Sequence, residues 1–212
     1  MARRIEDYAL IGDCESAALV SLDGSIDWLC WPRFDSGAIF AALLGDGNNG
    51  RWILTAADRG AKITRRYRGP TLILETSIET RAGSATVTDF MPRRGGGMGH
   101  IIRIVEGRRG KVNMETELVF RFDYGLIVPW ITRVSEGLKA VAGPDMVVLR
   151  TSAPIEAKGN KHCGSFTVEA GETVTFVLSH GDSFRDIPPA PDSMSALEET
   201  EQATKRGRMN AK

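Results

Sequence analysis

Apolar and polar residues alternate along most of this chain in short runs, and turns rich in glycine, proline or asparagine separate the runs at regular intervals. Alternation at every second residue sends successive side chains to opposite faces of a strand. AKITRRYR alternates in this way, with Ile63, Arg65 and Tyr67 on one side. In TLILETSIET, Leu72, Leu74, Thr76 and Ile78 oppose Ile73, Glu75, Ser77 and Glu79. In KVNMETELVFRFDYG, Met114, Thr116, Leu118, Phe120 and Phe122 oppose Glu115, Glu117, Val119 and Arg121. SATVTDFM, HIIRIVEG, VPWITRVSEG, LKAVAG, DMVVLRTS and the hairpin GSFTVEAGETVTFVLSHGD continue the rhythm. Turns are expected at Arg81-Ala82-Gly83, Arg108-Arg109-Gly110, Glu136-Gly137, Gly143-Pro144-Asp145 and Glu169-Ala170-Gly171-Glu172. The series predicts an all-β fold, a large antiparallel β-sandwich of about twelve or more strands, and not alternating strand and helix units.

One stretch departs from plain alternation: DGSIDWLCWPRFDSGAIFAALLG, residues 23–45. Asp23-Gly24 is a two-residue turn signal between SAALVSL and SIDWLCW. In the second strand Ile26, Trp28 and Cys30 face one way, and Asp27, Leu29 and Trp31 the other. Pro32 cannot donate to a ladder and ends the strand. Arg33 to Ser36 form an irregular connection. Ile39, Phe40, Leu43 and Leu44 then have the spacing of a short helix near 37–44, stopped by Gly45.

The end of the chain changes character. Pro188, Pro189 and Pro191 surround Ala190, so 186–195 is expected to be an extended linker after a sandwich domain of residues 1–185. Residues 196–212 are polar, with Leu197 nearly the only large apolar residue before Met209. They predict a helical or disordered tail.

Composition narrows the function classes. The formal net charge is zero, against the basic excess of most nucleic-acid binders. No run of apolar residues is long enough to span a membrane. MARRIEDYALIGD lacks the apolar core of a signal peptide, so a cytoplasmic location is expected. Cys14, Cys30 and Cys163 have no metal-type spacing and read as free thiols. His100, His162 and His180 each lack a second ligand at i+2 or i+4, so no metal is expected. The glycines of PRRGGGMGH, residues 92–100, precede a strand and lack the Lys-Ser or Lys-Thr step of a phosphate loop. No cofactor is expected.

GDCESAALVSLDGSIDWLCWPRFDSGAIFAALLG resembles the amino-terminal signature of glycoside hydrolase family 15 proteins of the bacterial trehalase and glucoamylase-like kind. RRYRGPTLILETSIET, ATVTDFMP, IIRIVEG and METELVFRFDYGLIVPW extend the resemblance, which covers roughly residues 7–185. The resemblance implies a trehalase-like β-sandwich domain that precedes a barrel of paired helices. It places the two catalytic glutamates of an inverting α-glucoside hydrolysis in that barrel. Ala196, Leu197, Thr200 and Glu201 match the opening of its first helix, but Gln202 to Lys205 replace the aromatic residues that would follow. The chain reaches Lys212 about where the barrel would begin, and is expected to be the accessory domain without its catalytic partner.

Three functions are therefore weighed. The first is a non-catalytic module whose partner is the absent barrel, or a second copy through the same docking face. The second is a stand-alone carbohydrate-binding sandwich for an α-glucoside, in which Trp31 offers an exposed ring. The third is a minimal glycosidase using Asp27 and Asp35. Inversion needs two carboxylates about 6.5–9.5 Å apart, one of them protonated. Asp27, Asp35, Asp89 and Asp123 are the candidates. Against this, Asp35-Ser36 suits a helix cap, and Arg33 suits a pairing that fixes the loop. Asp27, Trp31, Arg33, Phe34, Asp35 and Trp130 are the residues expected to contact substrate or a neighbouring domain. Trp28 is expected in the core.

Overall fold

The computed structural model of the chain describes residues 4–94, 97–135, 137–187 and 189–209, with 205–209 described by backbone alone. Residues 1–3, Gly95 and Gly96 of the glycine loop, Glu136 of the expected Glu136-Gly137 turn, Pro188 of the proline segment and residues 210–212 of the tail lie outside the described residues.

Among the described residues there are fifteen strands, all paired antiparallel. They are β1 (Tyr8–Gly12), β2 (Ala17–Ser21), β3 (Ser25–Cys30), β4 (Ala38–Phe40), β5 (Arg51–Ala56), β6 (Lys62–Tyr67), β7 (Leu74–Glu79) and β8 (Gly83–Phe90). After them come β9 (His100–Val119), β10 (Trp130–Val134), β11 (Gly137–Ala142), β12 (Asp145–Thr151), β13 (Glu156–Lys158), β14 (Lys161–Glu169) and β15 (Thr173–Asp182). One layer runs β1-β2-β3-β5-β9-β14-β13, with β4 added on β3. The other runs β6-β7-β8-β9-β15-β12-β11-β10.

The strand β9, 20 residues long, belongs to both layers. Its first half pairs with β8 and β15, and Lys111 onward pairs with β14 and β5. The expected turn at Arg108-Arg109-Gly110 is therefore a bend inside one continuous strand. Glycine makes the bend possible. A Cβ on Gly107 would lie 1.9 Å from the Glu169 carbonyl oxygen. Gly110 has φ 56° and approaches the Ala82 carbonyl so closely that a Cβ would lie 2.1 Å from it. Only glycine meets both demands.

Between the layers lies one large apolar core. Ile11, Val20, Ile26, Leu29, Trp52, Met114 and Phe120 enter from the first layer, and Leu74, Val87, Ile101, Leu138, Leu149 and Phe176 from the second. Full burial of one such side chain is worth about 1.5–3 kcal/mol. Embedded in this core is an ion pair without solvent contact. Arg103 Nε and Nη2 meet the two Asp89 carboxylate oxygens at 2.8 and 3.3 Å. Arg103 also donates to the Trp52 and Gly24 carbonyls and lies 5.0 Å from the centre of the Trp52 ring.

Residues 37–44 are not the expected helix. Ala38–Phe40 is a strand, and only Ala42–Leu44 makes a single 3-10 turn. The apolar spacing suited a helix, but Ala38 to Ala41 are all buried. An apolar run enclosed on every side is compatible with either element, and pairing to β3 decides for strand.

The carboxy-terminal helix α1 spans Ser193–Met209. Asp192 accepts a hydrogen bond from the Ser195 amide as a cap. Ala196 and Leu197 pack on Ile73, Phe90, Ile102, Ile104 and Val177, on the outer side of the second layer. Tertiary packing is what holds so polar a helix. Among the described residues no helix is long and apolar enough to cross a membrane.

The bend yields a paired prediction. Gly143 also has a left-handed φ, but nothing lies within 4 Å of its missing Cβ. Gly143→Ala should cost only the left-handed backbone penalty, about 1–2 kcal/mol. Gly110→Ala adds a carbonyl clash and should cost more than about twice that in urea unfolding. Equal losses would mean that the bend relaxes freely.

Candidate functional site

Asp27 sits where the β2–β3 register slips. Val20 pairs with Ile26 and Leu19 with Trp28, so Asp27 is the extra residue of a bulge. Its carboxylate accepts hydrogen bonds from the Tyr8 hydroxyl at 2.7 Å and from Ser25 Oγ. The bulge also resets the faces. Ile26, Leu29 and Trp31 all enter the main core, while Cys30, Ala38, Ala41 and Trp28 form a separate cluster. The strict alternation expected for this strand is thus broken. Trp31, expected as the exposed ring, is only 2% exposed, and Trp28, expected in the core, is half-buried beside Tyr124. No face of Trp31 is open to a pyranose.

After the cis Trp31-Pro32 bond, residues 33–36 form an exposed loop. Arg33 Nε and Nη2 grip the Asp35 carboxylate at 2.9 and 3.2 Å. These bonds hold the Asp35 carboxyl below the usual carboxylate range. Asp35 caps no helix; Ser36 Oγ instead closes the loop by accepting from the Arg33 amide at 3.1 Å. Phe34 stands exposed beside Arg33, Asp35, Cys14 and Glu15. Trp130 opens β10 and is also exposed.

The four candidate aspartates occupy four separate settings. Asp27 is held by hydroxyls, Asp35 by Arg33 in solvent, and Asp89 by Arg103 in the core. Asp123 lies exposed on the turn after β9, with φ 49°. A general acid needs a carboxyl raised toward neutrality. Asp35, Glu75, Glu117 and Asp192 are each displaced downward instead.

Two clefts remain. A groove of about 450 Å³ crosses the outer face of β5, β9 and β14. Glu117 in it bonds Arg51 and Lys161, and Glu115 bonds Arg59. Burial pushes the Glu117 carboxyl up, but the bonds to Lys161 and Arg51 outweigh burial and leave it below the usual range. Both acids are thus engaged by cations. A second cleft, about 380 Å³, lies between the 31–37 segment, the turn after β9 and the β11–β12 hairpin. Trp31, Pro32, Ile39 and Phe122 line it together with Asp123 and Asp145.

Asp13 and Arg94 were not singled out by spacing, yet they fasten this end of the sandwich. Arg94 Nε meets Asp13 at 2.6 Å, and Nη1 donates to the Pro32 carbonyl at 2.5 Å. Asp13 also accepts from the Glu15 and Ser16 amides. The signal available was the Gly12-Asp13 turn, which carries a carboxylate two and three residues before free amides. Among the described residues no group of three or more His, Cys, Asp or Glu gathers to hold a metal.

The fold is a large antiparallel sandwich whose candidate acids occupy separate settings. Comparison with known proteins places it more closely. The trehalase-like, N-terminal family matches residues 1–202, and the chain belongs to that family. It is 41% identical over 87 residues to a trehalase of Mycolicibacterium smegmatis, a match covering 41% of this chain and 13% of that protein. Trehalase 1 of Sulfolobus acidocaldarius is 35% identical over 135 residues, 64% of this chain and 23% of its own. A trehalase of Thermoplasma volcanium is 23% identical over 183 residues, 84% of this chain and 29% of its own. The chain thus spans less than a third of the length of each. Among solved structures, a putative kojibiose phosphorylase from the human microbiome aligns over 93% of this chain and 32% of its own, with TM-score 0.47 and 9% identity.

The histidines give a pH prediction. Burial, with Arg150 and Arg94 nearby, lowers His100 to about 4. Burial also lowers His162 and His180. The unfolded chain therefore takes up protons first as pH falls below about 6.5. Stability is full above that pH and is lost progressively toward pH 4. The Tm of wild type should fall across this window, and the fall should be shallower in His100→Gln. Superimposable Tm profiles would remove His100 from the account.

Proposed function

We propose that this chain is the non-catalytic amino-terminal domain of a family 15 type glycosidase, of the trehalase or glucoamylase-like kind. Its role is to pack against and support a catalytic barrel that hydrolyses α-glucosides. One observation carries this reading: a trehalase-like N-terminal match over residues 1–202, in a chain that spans only 13–29% of the trehalases compared above. The settings of the acids support it. An inverting pair must share one concave site about 6.5–9.5 Å across, with one member neutral. Asp27 is bound to hydroxyls inside a strand bulge, whereas Asp35 is an exposed, Arg-paired carboxylate. The free thiols Cys14, Cys30 and Cys163 accord with a reducing, cytoplasmic setting.

Glucose release from trehalose, maltose and isomaltose by the purified 212-residue chain tests the reading. No turnover above buffer is expected, and Asp27→Asn and Asp35→Asn should change nothing. Turnover abolished by either substitution would make the 27–35 segment an active site in its own right.

A further inference from the structure

The most conspicuous unpartnered surface is the turn between β9 and β10. Leu126 is 80% exposed, Val128 67% and Trp130 76%, with Ile127 and Tyr124 also open to solvent. Contiguous large apolar side chains of this kind mark an interaction surface more often than they occur by chance on a monomer. We infer that residues 122–130 form a rigid docking finger, and that its occupant is an apolar groove of the catalytic domain carrying an arginine or lysine beside it. This rests on the accessory-domain reading above and adds the face and chemistry of the contact.

The finger is stiff. Phe122 and Ile127 exchange backbone hydrogen bonds at 2.9 and 3.0 Å across its base. The amides of Gly125 and Leu126 bond the carbonyls of Phe122 and Asp123 inside it. Phe122 and Pro129 are buried at its two ends. Tyr124 rests against the Trp28 ring, and its hydroxyl reaches the Ser36 carbonyl at 3.4 Å. A loop already ordered loses little entropy on binding. Asp123 and Tyr124 stand consecutively in the left-handed region, at φ 49° and 58°. Each such non-glycine residue costs about 1–2 kcal/mol. Strain of this size persists where the surroundings impose it and is concentrated at functional positions.

Charge selects the occupant. The finger overhangs the second cleft, which Asp123 and Asp145 enter with apolar walls around them. Among the described residues, the one nitrogen within bonding range of either carboxylate is His180 Nε2, 3.1 Å from Asp145. Burial keeps that histidine from holding a charge near neutral pH. An arginine or lysine places its methylenes on Ile39, Phe122 and Pro144 and its charge between the carboxylates. A second copy docked through this same face would set the same two acids and the same apolar finger against these. The trehalases compared above continue for more than two thirds of their length outside the matched segment, which supplies a covalently joined partner.

The test is a chimera in which this chain replaces the segment it matches in the Sulfolobus acidocaldarius Trehalase 1. Trehalose hydrolysis and thermal unfolding are compared for the unmodified chimera, a Leu126→Ser/Val128→Ser/Trp130→Ser variant and an Asp123→Asn/Asp145→Asn variant. Sedimentation of the isolated chain runs alongside. The unmodified chimera should hydrolyse trehalose and unfold in one transition. The triple variant should lose activity by at least about tenfold, the equivalent of 1.4 kcal/mol, and unfold in two transitions. The isolated chain should keep its own Tm with the same three changes. The charge variant should lose activity in the same direction, by a smaller factor. A triple variant as active and as cooperative as the unmodified chimera overturns the finger while leaving the accessory-domain reading standing. An unmodified chimera without activity, where Trehalase 1 itself is active, removes both. An isolated chain that dimerises, and that the triple variant makes monomeric, assigns the finger to a second copy and overturns the proposed partner.

Discussion

The ion pair between Arg103 and Asp89 is the constraint on which the sandwich depends. Arg103 arises on the one strand that both layers share, and Asp89 from the neighbouring strand in the same layer. Its guanidinium crosses the interior to the Trp52 carbonyl and to Gly24, at the hairpin that starts the opposite layer's signature stretch. Isolated in an apolar core, either charge would be very costly. Here each of the three guanidinium nitrogens meets at least one acceptor, and the Trp52 ring lies beside it. The pair contributes less through raw stability than through the single arrangement it permits: one register of β8 on β9, and one placement of the Gly24 turn.

The same economy governs the other buried charges. Arg94 and Asp13 join the first hairpin, Pro32 and the approach to β9. Glu75 lies between Arg66 and Arg68, and Glu117 between Arg51 and Lys161. The bonds to their cations outweigh burial and hold the Glu75 and Glu117 carboxyls below the usual range. The chemistry a hydrolase needs is therefore not assembled from them, and the surface becomes the informative part of the molecule. That surface has an exposed apolar turn held in a fixed, strained shape next to an acidic cleft.

Much of this was legible in the chain. Alternation in 62–67 and 161–169 marked strands because more covered and more exposed positions interleave there, whereas 146–149 and 176–181 are buried on both faces and were marked by the turns that bound them. Asp23-Gly24 marked its hairpin because Gly24 takes φ 79°. The bend at Gly107 and Gly110 read as a turn, since glycine beside charged residues signals both, and only the partners on each side separate them. The Asp27 bulge was invisible, because one extra residue in β3 leaves the composition of the strand unchanged and moves its tryptophans to the other faces. Phe34, Asp35 and Trp130 were expected as contact residues and lie open to solvent, but the exposed turn that leads into Trp130 was missed. LIVPW runs into the strand VPWITRVSEG in sequence, and only the Phe122–Ile127 pairing shows that a closed turn precedes it.

The claim that buried charge here fastens the fold is tested most directly by a double-mutant cycle on Asp89→Ala and Arg103→Met, followed by urea unfolding. Each single change should cost about 3–5 kcal/mol, because it strands the other charge in the core. The double variant should cost well below the sum, with a coupling of at least about 2 kcal/mol. Additive losses, or single changes within about 0.5 kcal/mol of wild type, would contradict it.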